Sequence, residues 1–365
     1  MDLLASATWP LGAVVSLALD ARAASAPSPV GARADASSVA GKPFASPREH
    51  VAMQIACLPR LLLAHLAYTY LLGDWRTTAR VFAFGWVARI VARDVALCWF
   101  VGLVTDGLHL ACASPFRASM ARHKFNSAYP HWLRRAGTSA VLRDAAWSTL
   151  TAALAGLLEA AMLHACATGR VRYADVDAAG GWWTHAPTLL LMLTWFYSQN
   201  IQFYAMHRAM HAWGTRSVPD IGAWLYRHVH SLHHQARTPT AFSGIAMHPV
   251  EGLLYLSYAL FPLLFAAHPI ACIYIKTNLI VAAMLGHDGF ESPAQGSMPH
   301  YIHHAHVSVN YAEAHLPIDW MLGTFAGTPE EARASMERRL AVRRGEAEEG
   351  VGKQGQRAAG DKKSA

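Results

Sequence analysis

Residues 252–286 read GLLYLSYALFPLLFAAHPIACIYIKTNLIVAAMLG, with Lys276 as the single charge and Pro262 and Pro269 near the middle. Proline breaks helices and marks turns, so this stretch predicts a hairpin of two short helices turning at residues 266–269. A hairpin in an apolar run returns the chain to the membrane face it left. Upstream, residues 178–206 carry no formal charge, and about 20 apolar residues suffice to cross a bilayer. Residues 145–168 hold one charge, Glu159. Residues 81–104 are interrupted by Arg89, Arg93 and Asp94, which suits an amphipathic or interface-bordering helix, and residues 61–73 are too short to span alone. The reading is an all-α integral membrane bundle of about four spans. Because the count is even, the polar stretches after 178–206 and after 252–286 emerge on one membrane face.

Composition agrees. Apolar residues make up 53% and charged residues 15%, against about a quarter charged in soluble domains. The net charge of +7 owes something to arginines beside the apolar segments, such as Arg134, Arg135 and Arg143. Such residues mark the cytoplasmic side and attract anionic headgroups. No basic surface with aromatic or motif context suggests a nucleic-acid partner. Five cysteines (Cys57, Cys98, Cys112, Cys166, Cys272) form no C-x-x-C pair and read as reduced, mostly buried thiols. The chain divides into a flexible or targeting segment at 1–48, apolar or interfacial helices at 49–119, a membrane-embedded catalytic domain at 120–335 and a disordered charged tail at 336–365. The apolar run at 9–19 has Asp2 ahead of it and no preceding basic residue, a poor match to a signal peptide.

Of 21 histidines, 14 lie between His207 and His315, and metal binding is the chemistry that rewards such a concentration. His207 and His211, at i and i+4, share a helix face. His230, His233 and His234 follow, and His300, His303 and His304 repeat their spacing. Eight imidazoles exceed what one four- or five-coordinate ion holds and suit two. Imidazole serves iron, zinc and copper alike; attack on an unactivated C–H bond needs a redox metal, which favours iron, with zinc a plausible substitute on isolation. One such pair is more often a surface or core feature, whereas three clusters on one face are not. His287, with Glu291 one turn on, and His248 are further candidate ligands. Asp288, Glu251 and Asp319 are candidates to hydrogen-bond the distal nitrogens of ligating rings. Trp195, Phe196, Tyr197 and Phe203 are candidates to line a lipid tunnel.

The three clusters resemble the histidine boxes of the fatty acid hydroxylase/sterol desaturase superfamily. Thr238-Pro239-Thr240-Ala241-Phe242 followed by Met247-His248-Pro249-Val250-Glu251-Gly252 resembles the C-5 sterol desaturase (lathosterol oxidase) branch, as does Gly286-His287-Asp288-Gly289. Asn310-Tyr311, then Pro317-Ile318-Asp319 through Gly323-Thr324, resembles the superfamily's ending, and Lys124-Phe125-Asn126 with Tyr129-Pro130 its lead-in. Ala312 stands where glycine is usual and Trp320 where a basic residue is usual. The similarity covers about 120–330.

The expectation is a membrane-bound, non-haem di-iron enzyme that uses O2 to desaturate a lipid, a sterol by first choice, with the eight box histidines catalytic. No dinucleotide fingerprint or haem motif is present. The resemblance therefore implies electrons from NAD(P)H through a separate cytochrome b5 or ferredoxin-type carrier, which Arg208, Arg216, Arg227 and Arg237 are placed to dock. The expected location is the endoplasmic reticulum, with the histidines facing the cytosol. The alternatives are a lipid hydroxylase, acting on a fatty acyl chain, sphingolipid or sterol 4-methyl group, and a non-catalytic zinc-binding scaffold. A transporter would need a midplane site on broken helices.

Overall fold

Ser46 opens the first helix with a reciprocal cap: its hydroxyl accepts from the Glu49 N–H at 3.4 Å, and the Glu49 carboxylate accepts from the Ser46 N–H at 2.6 Å. Pro47 then supplies a first helical residue that lacks the N–H a helix start leaves unpaired. The computed structural model describes residues 43–71, 73–111, 138–175, 185–214, 218–236, 239–288 and 297–344, and contains no strand among the described residues. The run at 9–19, Cys112, the 124–130 lead-in, Arg216, Arg237 and Glu291 lie outside them.

Helix α1 spans Pro47–Leu66 and runs on through a π turn at Ala67–Leu71. The stretch Pro47–Tyr70, 24 residues, is long and apolar enough to cross a membrane, which corrects the expectation of a short run at 61–73. The charge that masked it, Arg60, is buried and donates to Asn278 Oδ1 at 3.1 Å. Helices α2 (Phe84–Ala111) and α3 (Thr138–Ala167) pack along their length. At Gly156 a β-carbon would stand 2.7 Å from the Val91 Cα, so only glycine allows this approach. Arg93 and Asp94, expected to hold α2 at the interface, instead face inward. Arg93 pairs with Glu159 at 2.6 Å, and the buried Lys276 ammonium pairs with both Asp94 and Glu159. Two cations balance two anions, the condition under which charges persist inside an apolar bundle.

Helix α4 (Ala186–Ala209) carries His207 in its last turn. It is not among the three helices of spanning length and apolarity found in the described residues, which are Pro47–Tyr70, Ser139–Ala167 and Pro269–Gly286. Ser198, Gln199, Asn200 and Gln202 make it more polar than the expected span, and several of their groups are used internally. Ser198 bonds the Tyr258 hydroxyl at 2.6 Å. After the short α5 (Ile221–His228), the predicted hairpin appears as α6 (Pro249–Ser257), a 3-10 stretch at Tyr258–Phe265, a left-handed turn at Ala266 (φ 49°) and α7 (Pro269–Gly286). Its first leg, Pro249–Phe265, belongs with the shorter apolar helices. Helices α8 (Ser297–His306) and α9 (Pro329–Arg344) complete the fold, so part of the tail expected to be disordered from 336 is helical.

Leu58, Leu62, Phe100, Leu103, Leu190, Leu193 and Leu264 point outward from these helices and are exposed. Apolar surface so extensive suits lipid rather than water, and with the apolar helices it makes this an integral membrane bundle. Cys57, Cys98, Cys166 and Cys272 are buried free thiols.

Candidate metal centre

One end of the bundle gathers the histidines. His207 closes α4 and His211 follows it; His230, His233 and His234 occupy a 3-10 turn at His230–Gln235; His287 caps the C-terminus of α7; His300, His303 and His304 lie on α8. All nine are buried. They divide into two groups: His207, His211, His230, His234 and His303 in one, His233, His287, His300 and His304 in the other, with the ligating atoms of each group within 4.8 Å of one another. Gly222, opening α5, packs directly on the His211 carbonyl and the Trp213 ring. Any side chain there would push His211 away.

Ring orientation follows from what the outer nitrogens touch. His207 Nδ1 lies 2.8 Å from the Tyr311 carbonyl, His303 Nδ1 2.6 Å from the Val309 carbonyl and His287 Nδ1 2.7 Å from the Ala283 carbonyl. A carbonyl only accepts, so each Nδ1 carries the proton and each Nε2 presents a lone pair inward. His230 Nδ1 meets Glu251 Oε1 at 2.6 Å. The inward atoms crowd together: His230 and His234 Nε2 at 3.0 Å, His234 and His303 at 3.1 Å, His287 and His300 at 2.8 Å, His287 and His304 at 3.0 Å, His287 and His233 at 3.2 Å. The Nε2 atoms of His207 and His211 are buried without a hydrogen-bond partner among the described residues. Converging lone pairs cannot satisfy one another, whereas a first-row ion with nitrogens at about 2 Å satisfies them all. Burial holds His211, His230, His233, His234, His300, His303 and His304 well below the ordinary imidazole pKa, and His287 at about 4. The rings are therefore neutral at neutral pH, the ligating form. The donor set fits two metal ions.

The other candidates separate. Glu251 does orient a ligating ring. Asp319 does not: its carboxylate accepts from the Tyr311 and Ala312 N–H groups at 2.9 and 2.7 Å and from the Thr324 hydroxyl at 2.6 Å. It shapes the loop whose Tyr311 carbonyl holds His207. His248 also leaves the ligand list, because its Nδ1 accepts from the Val250 N–H at 3.2 Å and so caps α6. Asp288 is buried immediately after His287. Asn310, left-handed at φ 56°, ties the same loop to Pro299 and Ala326. Ala312 is not in a left-handed conformation, so a β-carbon is tolerated where glycine is usual, and Trp320 is exposed. Arg208 is spent locally, on the carbonyls of His211 and Ala212 and over the Tyr311 ring at 5.2 Å. Of the expected docking arginines among the described residues, Arg227 is the exposed one.

A narrow cleft opens between the two groups, lined by His207, His230, His233, His287 and His300, by Glu251 and Glu313, and by Phe203, Met247 and Tyr255. Of the four expected tunnel aromatics Phe203 alone lines it. Trp195 packs edge-on against Phe196 and Phe196 edge-on against His315, while Tyr197 stacks on His50. Glu313 had no flag in the sequence beyond following Asn310-Tyr311-Ala312.

A model of the fatty acid hydroxylase family matches residues 189–324, the stretch from α4 to the loop bonded by Asp319. Lathosterol oxidase of Rattus norvegicus is 27% identical over 161 residues, 42% of this chain and 50% of its own length. A very-long-chain aldehyde decarbonylase of Oryza sativa subsp. indica is 30% identical over 147 residues, 36% of this chain and 51% of that one. A Delta(7)-sterol 5(6)-desaturase of Gibberella zeae is 31% identical over 106 residues, 28% of this chain and 30% of that one. The chain thus spans about half or less of the length of these relatives. No solved structure matches it.

Proposed function

We propose that the protein, whose residues 189–324 match a model of the fatty acid hydroxylase family, is a membrane-bound, non-haem di-iron, O2-dependent lipid oxidoreductase, acting as a sterol desaturase-like enzyme. The observation that carries the reading is the pair of buried histidine groups facing one cleft. The nine histidines would hold two Fe ions, which when bound supply the O2 chemistry that imidazole and carboxylate lack; zinc would fill the same donors on isolation. Tyr311, Val309 and Ala283 carbonyls hold the outer proton of His207, His303 and His287, and Glu251 does the same for His230. Phe203, Met247 and Tyr255 bind the lipid and exclude water. Desaturation takes two hydrogens from adjacent carbons and, with two electrons from a carrier and two protons from solvent, reduces one O2 to two waters. The electrons come from NAD(P)H through a separate cytochrome b5 or ferredoxin-type protein docking near Arg227, with the histidine end facing the cytosol at the endoplasmic reticulum.

The second reading is a lipid hydroxylase, favoured by the family that the match names. Angstrom-scale placement of the substrate decides between the two. Product analysis after incubation with 18O2, reductant and carrier separates them: loss of two hydrogens without label supports desaturation, one labelled oxygen supports hydroxylation. Zinc retained with no oxidised product under any reducing condition would point to the scaffold instead.

A further inference from the structure

Helix α4 presents three residues on one face at i, i+3 and i+7: Asn200, Phe203 and His207. His207 belongs to the histidine centre and Phe203 lines the cleft. Asn200 is fully buried and grips a single residue of another segment from both sides. Its Oδ1 accepts from the Glu313 N–H at 2.9 Å, and its Nδ2 donates to the Glu313 carbonyl at 2.8 Å. The backbone of Glu313 is therefore pinned to α4 two helical turns before the metal end, about 10 Å along the axis at 1.5 Å per residue. From there the side chain lines the cleft and lies close enough to Tyr255 for its charge to act on that phenol. The Tyr255 hydroxyl is already spent, donating to the Leu279 carbonyl at 2.9 Å.

No hydrogen bond to the Glu313 carboxyl is formed among the described residues. The other cleft carboxylate, Glu251, is joined to His230 through Oε1, while its buried Oε2 has no partner among the described residues. No Lys or Arg among the described residues lines the cleft. Glu313 is half-buried, and its carboxyl has no protein partner beside Phe203 and Tyr255, so it is open to a polar group of a ligand entering the cleft.

We propose that Glu313 is the polar anchor of the substrate: its carboxyl hydrogen-bonds a hydroxyl group carried by the lipid, so the cleft selects hydroxyl-bearing lipids over hydrocarbons and ethers of the same shape. A hydroxyl both donates and accepts, so it pairs with the acid or the carboxylate form of Glu313. A charged headgroup would meet only one of them.

The proposal rests on the lipid-oxidoreductase reading, and its test separates the two. Wild type, Glu313→Gln and Glu313→Leu are placed as full chains in identical nanodiscs, and their affinities for cholesterol against cholesteryl methyl ether, and for 1-octadecanol against octadecane, are measured beside metal content. Wild type should prefer the hydroxyl member of at least one pair by about tenfold, the value of one good hydrogen bond. Glu313→Gln should keep most of that preference. Glu313→Leu should lose it, with ether or alkane affinity unchanged and metal content intact. A preference that survives in Glu313→Leu overturns the proposal, as does loss of metal in that variant, which would make Glu313 a ligand. If Glu313→Leu does not fold, Glu313→Met replaces it, and wild type without any preference is already decisive. Absence of metal from wild type would sink the oxidoreductase reading while leaving the hydroxyl preference to be judged on its own.

Discussion

The two histidine groups are built differently. In the five-membered group, three rings are steered from outside: His207 by the Tyr311 carbonyl, His303 by the Val309 carbonyl and His230 by Glu251. In the four-membered group His287 has such a partner, the Ala283 carbonyl, and His233 lies against the Ala246 backbone, while the Nδ1 atoms of His300 and His304, like that of His234 in the first group, are buried without one among the described residues. Outer partners fix ring orientation and raise ligand basicity. The first group is thus pre-organised by the protein, whereas the second would take its geometry from its neighbours and from an ion bound there. The account expects the second ion to be the more weakly bound and the more easily exchanged.

The largest expected effect lies in the ligands themselves. His303→Ala should reduce lipid oxidation to background and remove the ion of the first group, read by elemental analysis; turnover within a few-fold of wild type would break the two-group description. Next comes Glu251→Ala, which strips an outer partner from the first group alone. Metal affinity at that site should fall about 10–100-fold, the usual cost of losing such a partner, and the gap between the two sites should narrow or invert. Equal weakening of both sites would show that the groups are not independent.

Acid should act on the metal-free protein through both groups. Their rings stay neutral when folded because burial depresses their pKa, to about 4 for His287, while in the unfolded chain they take up protons near 6.5. Below 6.5 the unfolded state binds more protons, so stability is fully present above that value and lost as pH falls toward 4. Unfolding midpoints of apo protein measured from pH 7.5 to 4.5 should drop, and bound metal should flatten the slope. The smallest expected effect is Asp319→Asn, which weakens the loop behind His207. It should cost about 2 kcal/mol, typical for hydrogen bonds to a buried charged group, and should disturb the first group more than the second.

Spacing made the eight box histidines legible, because i,i+3 and i,i+4 positions share a face whatever the surroundings. The hairpin was legible in Pro262 and Pro269. Partner choice was not. Whether His248 turns a nitrogen to a metal or to the Val250 N–H depends on a cap geometry that spacing does not encode. Asp319 likewise reaches loop amides two segments short of a ring. The charges at Arg93 and Asp94 read as interruptions because their partners, Glu159 and Lys276, are far away in the chain and adjacent only after packing. Glu313 was invisible for the same reason: its distinction comes from Asn200, more than a hundred residues earlier.

The central claim is two ions per chain in unequal sites. Anaerobic titration of apo protein with Fe(II), followed by equilibrium binding and elemental analysis, should give two equivalents in two resolved steps, with His300→Ala abolishing the weaker step and leaving the tighter one. A single equivalent, or two steps that His300→Ala leaves unchanged, would contradict it.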